Sequence, residues 1–205
     1  MSLEQLKRDF DRDGYVVLRG FLSGEELDEL RAHTERSLRE VETGEEYPGV
    51  AKNLNRIDPW FEEQLERGKQ RELISALLED DLEPASAGWF ARLPGETSGI
   101  RPHLDAVGHR RKGATMWIAL DRADRGNGCL YYAQGTHRLN LPPRVGLPGF
   151  SAESEEAVAV EVEPGDATIH SSLTVHWSEA NRSQRQRQAI TYFYWAASSA
   201  GGIDG

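Results

Sequence analysis

A mainly β fold with flanking helices is what this sequence predicts, and two observations predict it. Through about residue 82 the apolar side chains recur at helical spacing. Beyond Pro84 they fall into short runs rich in Trp, Tyr, Val and Ile, separated by Gly, Pro and Asn. Aromatic and β-branched residues favour strands. Many short strands between close turns make a sandwich or jelly roll, with the helices packed on its outside. At 205 residues the chain suits one domain with a sizeable core. Nothing near residue 84 reads as a linker, so we expect a single domain over 1–205, helical over about 1–82 and jelly roll over about 83–197.

The elements follow in order. Leu3, Leu6 and Phe10 share a helical face that ends near Asp13-Gly14. Tyr15 to Leu18, with two valines, reads as a strand. Ser23-Gly-Glu-Glu26 has capping-box spacing and opens a helix carrying Leu27, Leu30 and Leu38, expected to run to about Val41. Gly44 to Pro59 is irregular, broken by Pro48, Gly49 and Pro59. Trp60 to Leu82 is helical again, with Phe61, Leu65, Leu73 and Leu77 as apolar positions. Strands are then expected at roughly 86–93, 114–120, 128–133, 157–162, 166–170 and 187–195.

A formal net charge of −10 argues against nucleic acid or an anionic membrane as main partner, and leaves a small-molecule pocket open. The single cysteine, Cys129, excludes an intrachain disulfide and fits a reducing cytosol. Met1 is followed by charged, amphipathic sequence with neither a signal-peptide core nor an apolar stretch near 18 residues, so a cytoplasmic chain with no membrane partner is expected.

The chemistry concentrates in the second half. His103-Leu-Asp105 sets an imidazole and a carboxylate at i and i+2, which share a face on extended backbone and can reach one cation together. A third ligand from a distant strand, His170 or His176, completes a facial triad with open positions. That is a non-haem Fe(II) arrangement, whose open positions take a keto acid and O2. Arg187, eleven positions beyond His176, is the residue type expected to hold the distal carboxylate of such a cosubstrate, because its fork binds carboxylate through two bonds. Arg185 competes with it for that role.

Four pieces together resemble the phytanoyl-CoA dioxygenase (PhyH-like) family of Fe(II)/2-oxoglutarate oxygenases. They are Asp13-Gly-Tyr-Val-Val-Leu-Arg-Gly-Phe-Leu22 followed by a helix; His103-Leu-Asp105; Trp117-Ile-Ala-Leu-Asp121 through Gly126-Asn-Gly128 to Gln134-Gly-Thr-His-Arg138; and Pro164-Gly-Asp166 with His176, Asn181-Arg-Ser183 and Arg187. The resemblance implies a double-stranded β-helix core of cupin-like form. It implies Fe(II) held by His103, Asp105 and His176, with 2-oxoglutarate on Arg187 and contacts from Trp117 and Arg92. The implied reaction hydroxylates a small molecule with O2, releasing succinate and CO2. With a carboxylate at Asp105, hydroxylation or desaturation is implied over halogenation. The chain departs from the family pattern at Gln134 and Thr136 in the P-G-S-H stretch, at Trp177 where a glycine is usual, and at Arg92 where a lysine is usual.

The remaining candidates each carry an ordinary reading. Trp117 is pocket wall or core. His170 is core, or a support to the ligands. His137 hydrogen-bonds a turn, and His33 sits on an exposed helix. His109 with Arg110, Arg111 and Lys112 is a solvated basic run, with attraction of an anionic substrate as the functional reading. Asn53, Asn55 and Arg56, and the loop from Asn140 to Phe150, are candidates to fold over a site mouth. Two other functions stay open: a cupin-like metalloenzyme that uses no 2-oxoglutarate, and a non-catalytic binding domain of the same fold. Oligomeric state is not legible.

Overall fold

The computed structural model describes residues 2–41, 49–108 and 110–201. Helix α1 (Leu3–Asp13) starts on a Ser2 cap and ends at Gly14, whose φ of 81° is left-handed. A Cβ on Gly14 would lie 2.4 Å from His137 Nδ1 and 2.5 Å from Thr174 Oγ1, so glycine is needed for space as well as for conformation. Strand β1 (Tyr15–Leu18) follows, and the capping box of Ser23 and Glu26 opens α2 (Gly24–Leu38). Strand β2 (Val50–Lys52) precedes α3 (Pro59–Arg67) and α4 (Lys69–Leu78). The strands that follow are β3 (Leu82–Arg92), β4 (Ile100–His103), β5 (Gly113–Ala119) and β6 (Leu130–Ala133). After them come β7 (Ala157–Val160), β8 (Ala167–Ser171), β9 (His176–Ser178) and β10 (Arg187–Ala196).

These strands form two antiparallel sheets, one in the order β1-β8-β5-β10-β3-β2 and one in the order β4-β9-β6-β7. This is the expected mainly β, cupin-like jelly roll. Side-chain alternation splits the core. Met116 and Ile118 of β5 and Ile190, Tyr192 and Tyr194 of β10 face one way, into a cluster with Leu6, Leu30, Phe61 and Ile74 of the helices. Trp117, Ala119 and Ala189 face the other way, against Tyr132 and Trp177 of the smaller sheet and Val175 just before β9. The helices thus cover the outer face of the large sheet and leave its inner face to the space between the sheets.

Several boundaries differ from expectation. The second helix stops at Leu38 rather than near Val41, because its last amides turn to i−3 carbonyls, Arg39 to Arg36 and Glu40 to Ser37. The expected helix from Trp60 to Leu82 is two helices: Gly68 is extended (ψ 153°), and the Gln70 side chain donates to the Gln64 carbonyl at the break. Glu79 in the left-handed region (φ 52°) ends α4, and Leu82 already belongs to β3. Strand β3 therefore starts four residues before the expected 86 and runs through Pro84, tolerated where the register with β10 shifts between Phe193 and Tyr194. The segment expected to be irregular contains β2, too short at three residues to show a period; its residues 44–48 lie outside the described residues.

Two sequence motifs dock on each other. Gly135 N–H donates to the Asp13 carbonyl, and His137 Nε2 and Arg138 bond the Asp11 carbonyl, closing the C-terminal end of α1. Thr136 Oγ1 accepts from Val175 N–H, which fixes the start of β9. The Asp166 carboxylate accepts from Gly20 N–H (2.7 Å), Glu163 N–H (3.0 Å) and Arg19 (2.7 Å), tying the end of β1 to the turn before β8.

Candidate metal centre

Register brings the candidate ligands together. Strands β4 and β9 pair so that His103 stands opposite His176, with ring centroids 4.2 Å apart. His103 Nδ1–H donates to the Arg101 carbonyl (2.8 Å) and His176 Nδ1–H to the Thr174 carbonyl (3.0 Å). Each ring therefore turns an Nε2 lone pair inward. Burial, followed by the neighbouring imidazole charge, pushes both histidines down to about 4, so both are neutral at pH 7. Asp105 Oδ1 lies 3.6 Å from His176 Nε2 and 3.9 Å from His103 Nε2.

The other oxygen of Asp105 is already in use. Oδ2 accepts from the Thr115 hydroxyl and from His170 Nε2–H (3.0 Å). His170 Nδ1 in turn accepts from the Tyr132 hydroxyl (3.1 Å), whose oxygen meets Thr168 Oγ1 at 2.7 Å. Burial alone would raise the Asp105 carboxyl; His176, His170 and His103 together hold it well below the usual carboxylate range. His170 supports the carboxylate and does not replace His176 in the cluster. The three ligand atoms of His103, Asp105 and His176 lie within 4.8 Å of one another. Ligands about 2.1 Å from one ion and at right angles would be about 3 Å apart, so the three atoms would have to draw together to hold one. Two neutral imidazoles and one carboxylate on one side of a cation are a donor set suited to Fe(II).

The cluster opens into a cavity of about 220 Å³ between the sheets. Arg187 lines it while being only 1% exposed. Its Nε donates to the Gly128 carbonyl (3.0 Å), its guanidinium lies 5.3 Å over the Trp117 ring, and its Nη2 is buried without a partner. Burial and then nearby Arg92 push it down to about 9, so it stays charged at pH 7. Asn181 shapes the turn that delivers it, donating to the Arg92 and Arg185 carbonyls and accepting from Ser183. Arg185 points elsewhere, half exposed and paired with Asp124 at 2.6 Å. Trp117 lines the cavity. Arg92 is not among the lining residues: it stands opposite Arg187 on β3, with Nη1 3.0 Å from Glu96.

Other candidates fall away from the cavity. His33 is not the exposed residue expected: it bonds Asp58 at 2.7 Å and stacks on Trp60. His137 does bond a turn, as expected. His109 lies outside the described residues; its neighbour Arg110 bonds Leu139 and Asn140, and Arg111 bonds Glu83. Asn55 accepts from Ala87 N–H and so ties down its segment, while the cavity contact of that segment is Lys52. In the 140–150 loop, Gly146 and Leu147 N–H donate to the Pro102 carbonyl, so the loop braces β4 beside His103. Sequence reasoning missed Lys52, Phe90, Thr115, Thr191 and Phe193 as lining residues. Inward alternation from Arg187 along β10 was the available signal for Thr191 and Phe193.

No helix among the described residues is long and apolar enough to cross a membrane. The family model for phytanoyl-CoA dioxygenase (PhyH) matches residues 10–189. A probable phytanoyl-CoA dioxygenase of Caenorhabditis elegans is 32% identical over 91 residues, 38% of this chain and 29% of that protein. Methylphosphonate hydroxylase of Gimesia maris is 26% identical over 207 residues, 93% of this chain and 79% of that protein. Among solved structures, EvdO2 from Micromonospora carbonacea complexed with 2-oxoglutarate superposes with a TM-score of 0.81 at 22% identity, over 94% of this chain and 90% of that one. EctD from S. alaskensis with 2-oxoglutarate and 5-hydroxyectoine gives 0.83 at 20% identity, over 97% and 77%. At these identities the likeness is one of fold.

Proposed function

The chain belongs to the phytanoyl-CoA dioxygenase family, and from that premise we propose that His103, Asp105 and His176 hold one Fe(II) and Arg187 holds the distal carboxylate of 2-oxoglutarate. The reaction is oxidation, most simply hydroxylation, of a small molecule by O2. Iron, when bound, supplies the redox chemistry that activates O2 while 2-oxoglutarate is oxidised to succinate and CO2. The chain supplies the rest. Thr115 and His170 occupy Oδ2 of Asp105, so that Oδ1 alone is offered to the metal. Ile100, Leu130 and Trp177 line the cavity with apolar surface that excludes water from the reacting centre. The single buried thiol, Cys129, fits a reducing cytosol as the place of action.

One observation carries this reading: the buried, unpartnered Nη2 of Arg187 in the same cavity as the triad. A buried charged donor with no acceptor is costly, so a guanidinium kept there implies an anionic partner. A metalloenzyme that uses no 2-oxoglutarate gives no reason for it. The test is anaerobic titration of the protein with Fe(II) and 2-oxoglutarate. A weak visible charge-transfer band should grow to saturation with one equivalent of each. A colourless complex at saturating concentrations of both overturns the reading.

A further inference from the structure

The cavity lining presents a second cation besides Arg187. Lys52 lines it from the edge strand β2. The pairing of the large sheet sets where that lysine stands. Lys52 is opposite Gly88, Gly88 opposite Thr191, and Thr191 opposite Trp117, so these four form one row across four strands. Arg187 opens β10 four residues before Thr191. At roughly 3.3 Å per residue the two rows are about 13 Å apart along the strands, and Lys52 and Arg187 also stand two strands apart. That spacing sets the two cations on separate stretches of the cavity wall.

The backbone under Lys52 is firmly placed. Three consecutive pairs join β2 to β3, Ala51 is buried, and Asn55 accepts from Ala87 N–H at 3.1 Å just beyond the row. Asn53, at φ 60°, turns the chain away directly after the lysine. Gly88 keeps the floor beneath it low: a Cβ there would lie 3.1 Å from the Phe90 ring and 3.2 Å from Thr191 Oγ1. The neighbouring walls, Phe90 and Phe193, are apolar, and Ser86 adds a hydroxyl. Among the described residues lining the cavity, the sole carboxylate is Asp105, which faces the histidines.

We infer that Lys52 is the recognition point for an anionic group on the oxidised substrate: a small molecule with an apolar body and one oxyanion, a carboxylate or a phosphonate. The inference rests on the proposed function, since with Arg187 given to 2-oxoglutarate a second anion is what remains for Lys52. Lys52 is exposed, so one charge-assisted hydrogen bond there corresponds to at most roughly tenfold in affinity.

The test uses calorimetry on the protein loaded anaerobically with Fe(II) and 2-oxoglutarate, with hexanoate, hexylphosphonate and the neutral hexanamide as probes. At low salt at least one acid should bind about tenfold more tightly than the amide, and the gap should narrow as salt rises. The tighter acid identifies the oxyanion. Lys52→Met should bring the acids down to the amide and leave the amide unchanged, and Lys52→Arg should restore the preference. Equal binding of acid and amide, an acid preference that survives in Lys52→Met, or no binding of any probe to the unaltered protein overturns the inference. Affinity for 2-oxoglutarate, titrated on the same proteins, should not respond to Lys52→Met. A protein that fails to bind 2-oxoglutarate yet shows the Lys52-dependent preference sinks the proposed function and supports the substrate subsite.

Discussion

The two polar ends of the cavity differ in what they leave unsatisfied. Around His103, Asp105 and His176 the atoms facing away from the common centre have partners: carbonyls for the two Nδ1–H groups, and Thr115 with His170 for Oδ2. What remains is three lone pairs without a proton among them, a cage short of a cation. At Arg187 the balance is inverted. Nε is bonded, Nη2 is buried and bare, and the charge persists. The difference teaches how a fold encodes two opposite ligands in one space: by finishing every hydrogen bond except those the ligand must supply. Strand β5 serves both ends, with Thr115 on Asp105 and Trp117 beneath the guanidinium.

The largest test of that contrast is Asp105→Ala. It should abolish Fe(II) binding by calorimetry and lower succinate formation on the order of a thousandfold or more. Next, Arg187→Met should weaken 2-oxoglutarate about a hundredfold while Fe(II) affinity holds. Arg187→Lys should recover little of the loss, because an ammonium lacks the fork. If Arg187→Met instead loses the metal, the two ends are one unit and the comparison breaks. Third, His170→Asn or Thr115→Val should cost about tenfold in Fe(II) affinity, since these side chains orient a ligand without being one.

The smallest effect on function, and a control from outside the cavity, is Asp166→Ala. This carboxylate is saturated by protein donors, so its loss should appear as stability, about 2 kcal/mol or about 5 °C in Tm, with Fe(II) affinity unchanged. Burial alone would raise Asp166, but the Gly20 and Glu163 amides and Arg19 bring it below the usual carboxylate value. Its contribution is therefore present at neutral pH and lost as pH falls through the folded-state value, which lies below the ordinary carboxylate range. The melting-temperature gap between the two proteins should close on acidification.

Much of this was legible in the sequence because the signals are local. The His-x-Asp spacing, the Ser23–Glu26 cap and the strand periodicity of residues 187–195 depend only on neighbours in the chain. What was not legible depends on pairing. Spacing already favoured Arg187 over Arg185, but that its side chain lines the cavity depends on where β10 starts, and that Arg92 is held off the lining depends on Glu96 four residues on. His170 looked like a rival ligand; only its place on β8, opposite Thr115 of β5, sets its nitrogen on Asp105. Lys52 escaped notice because three residues of strand beside prolines and glycines carry no readable period.

Strand β10 lies between β3 and β5 in the large sheet, although all the other strands precede it in sequence. A chain still emerging from the ribosome therefore has a sheet with a missing plank. Until about residue 196 is free, β3 and β5 each expose an unpaired edge, the condition that invites aggregation. Arg187 arrives on that same plank, so the chain gains the arginine that lines the cavity in the same event that seals the sheet.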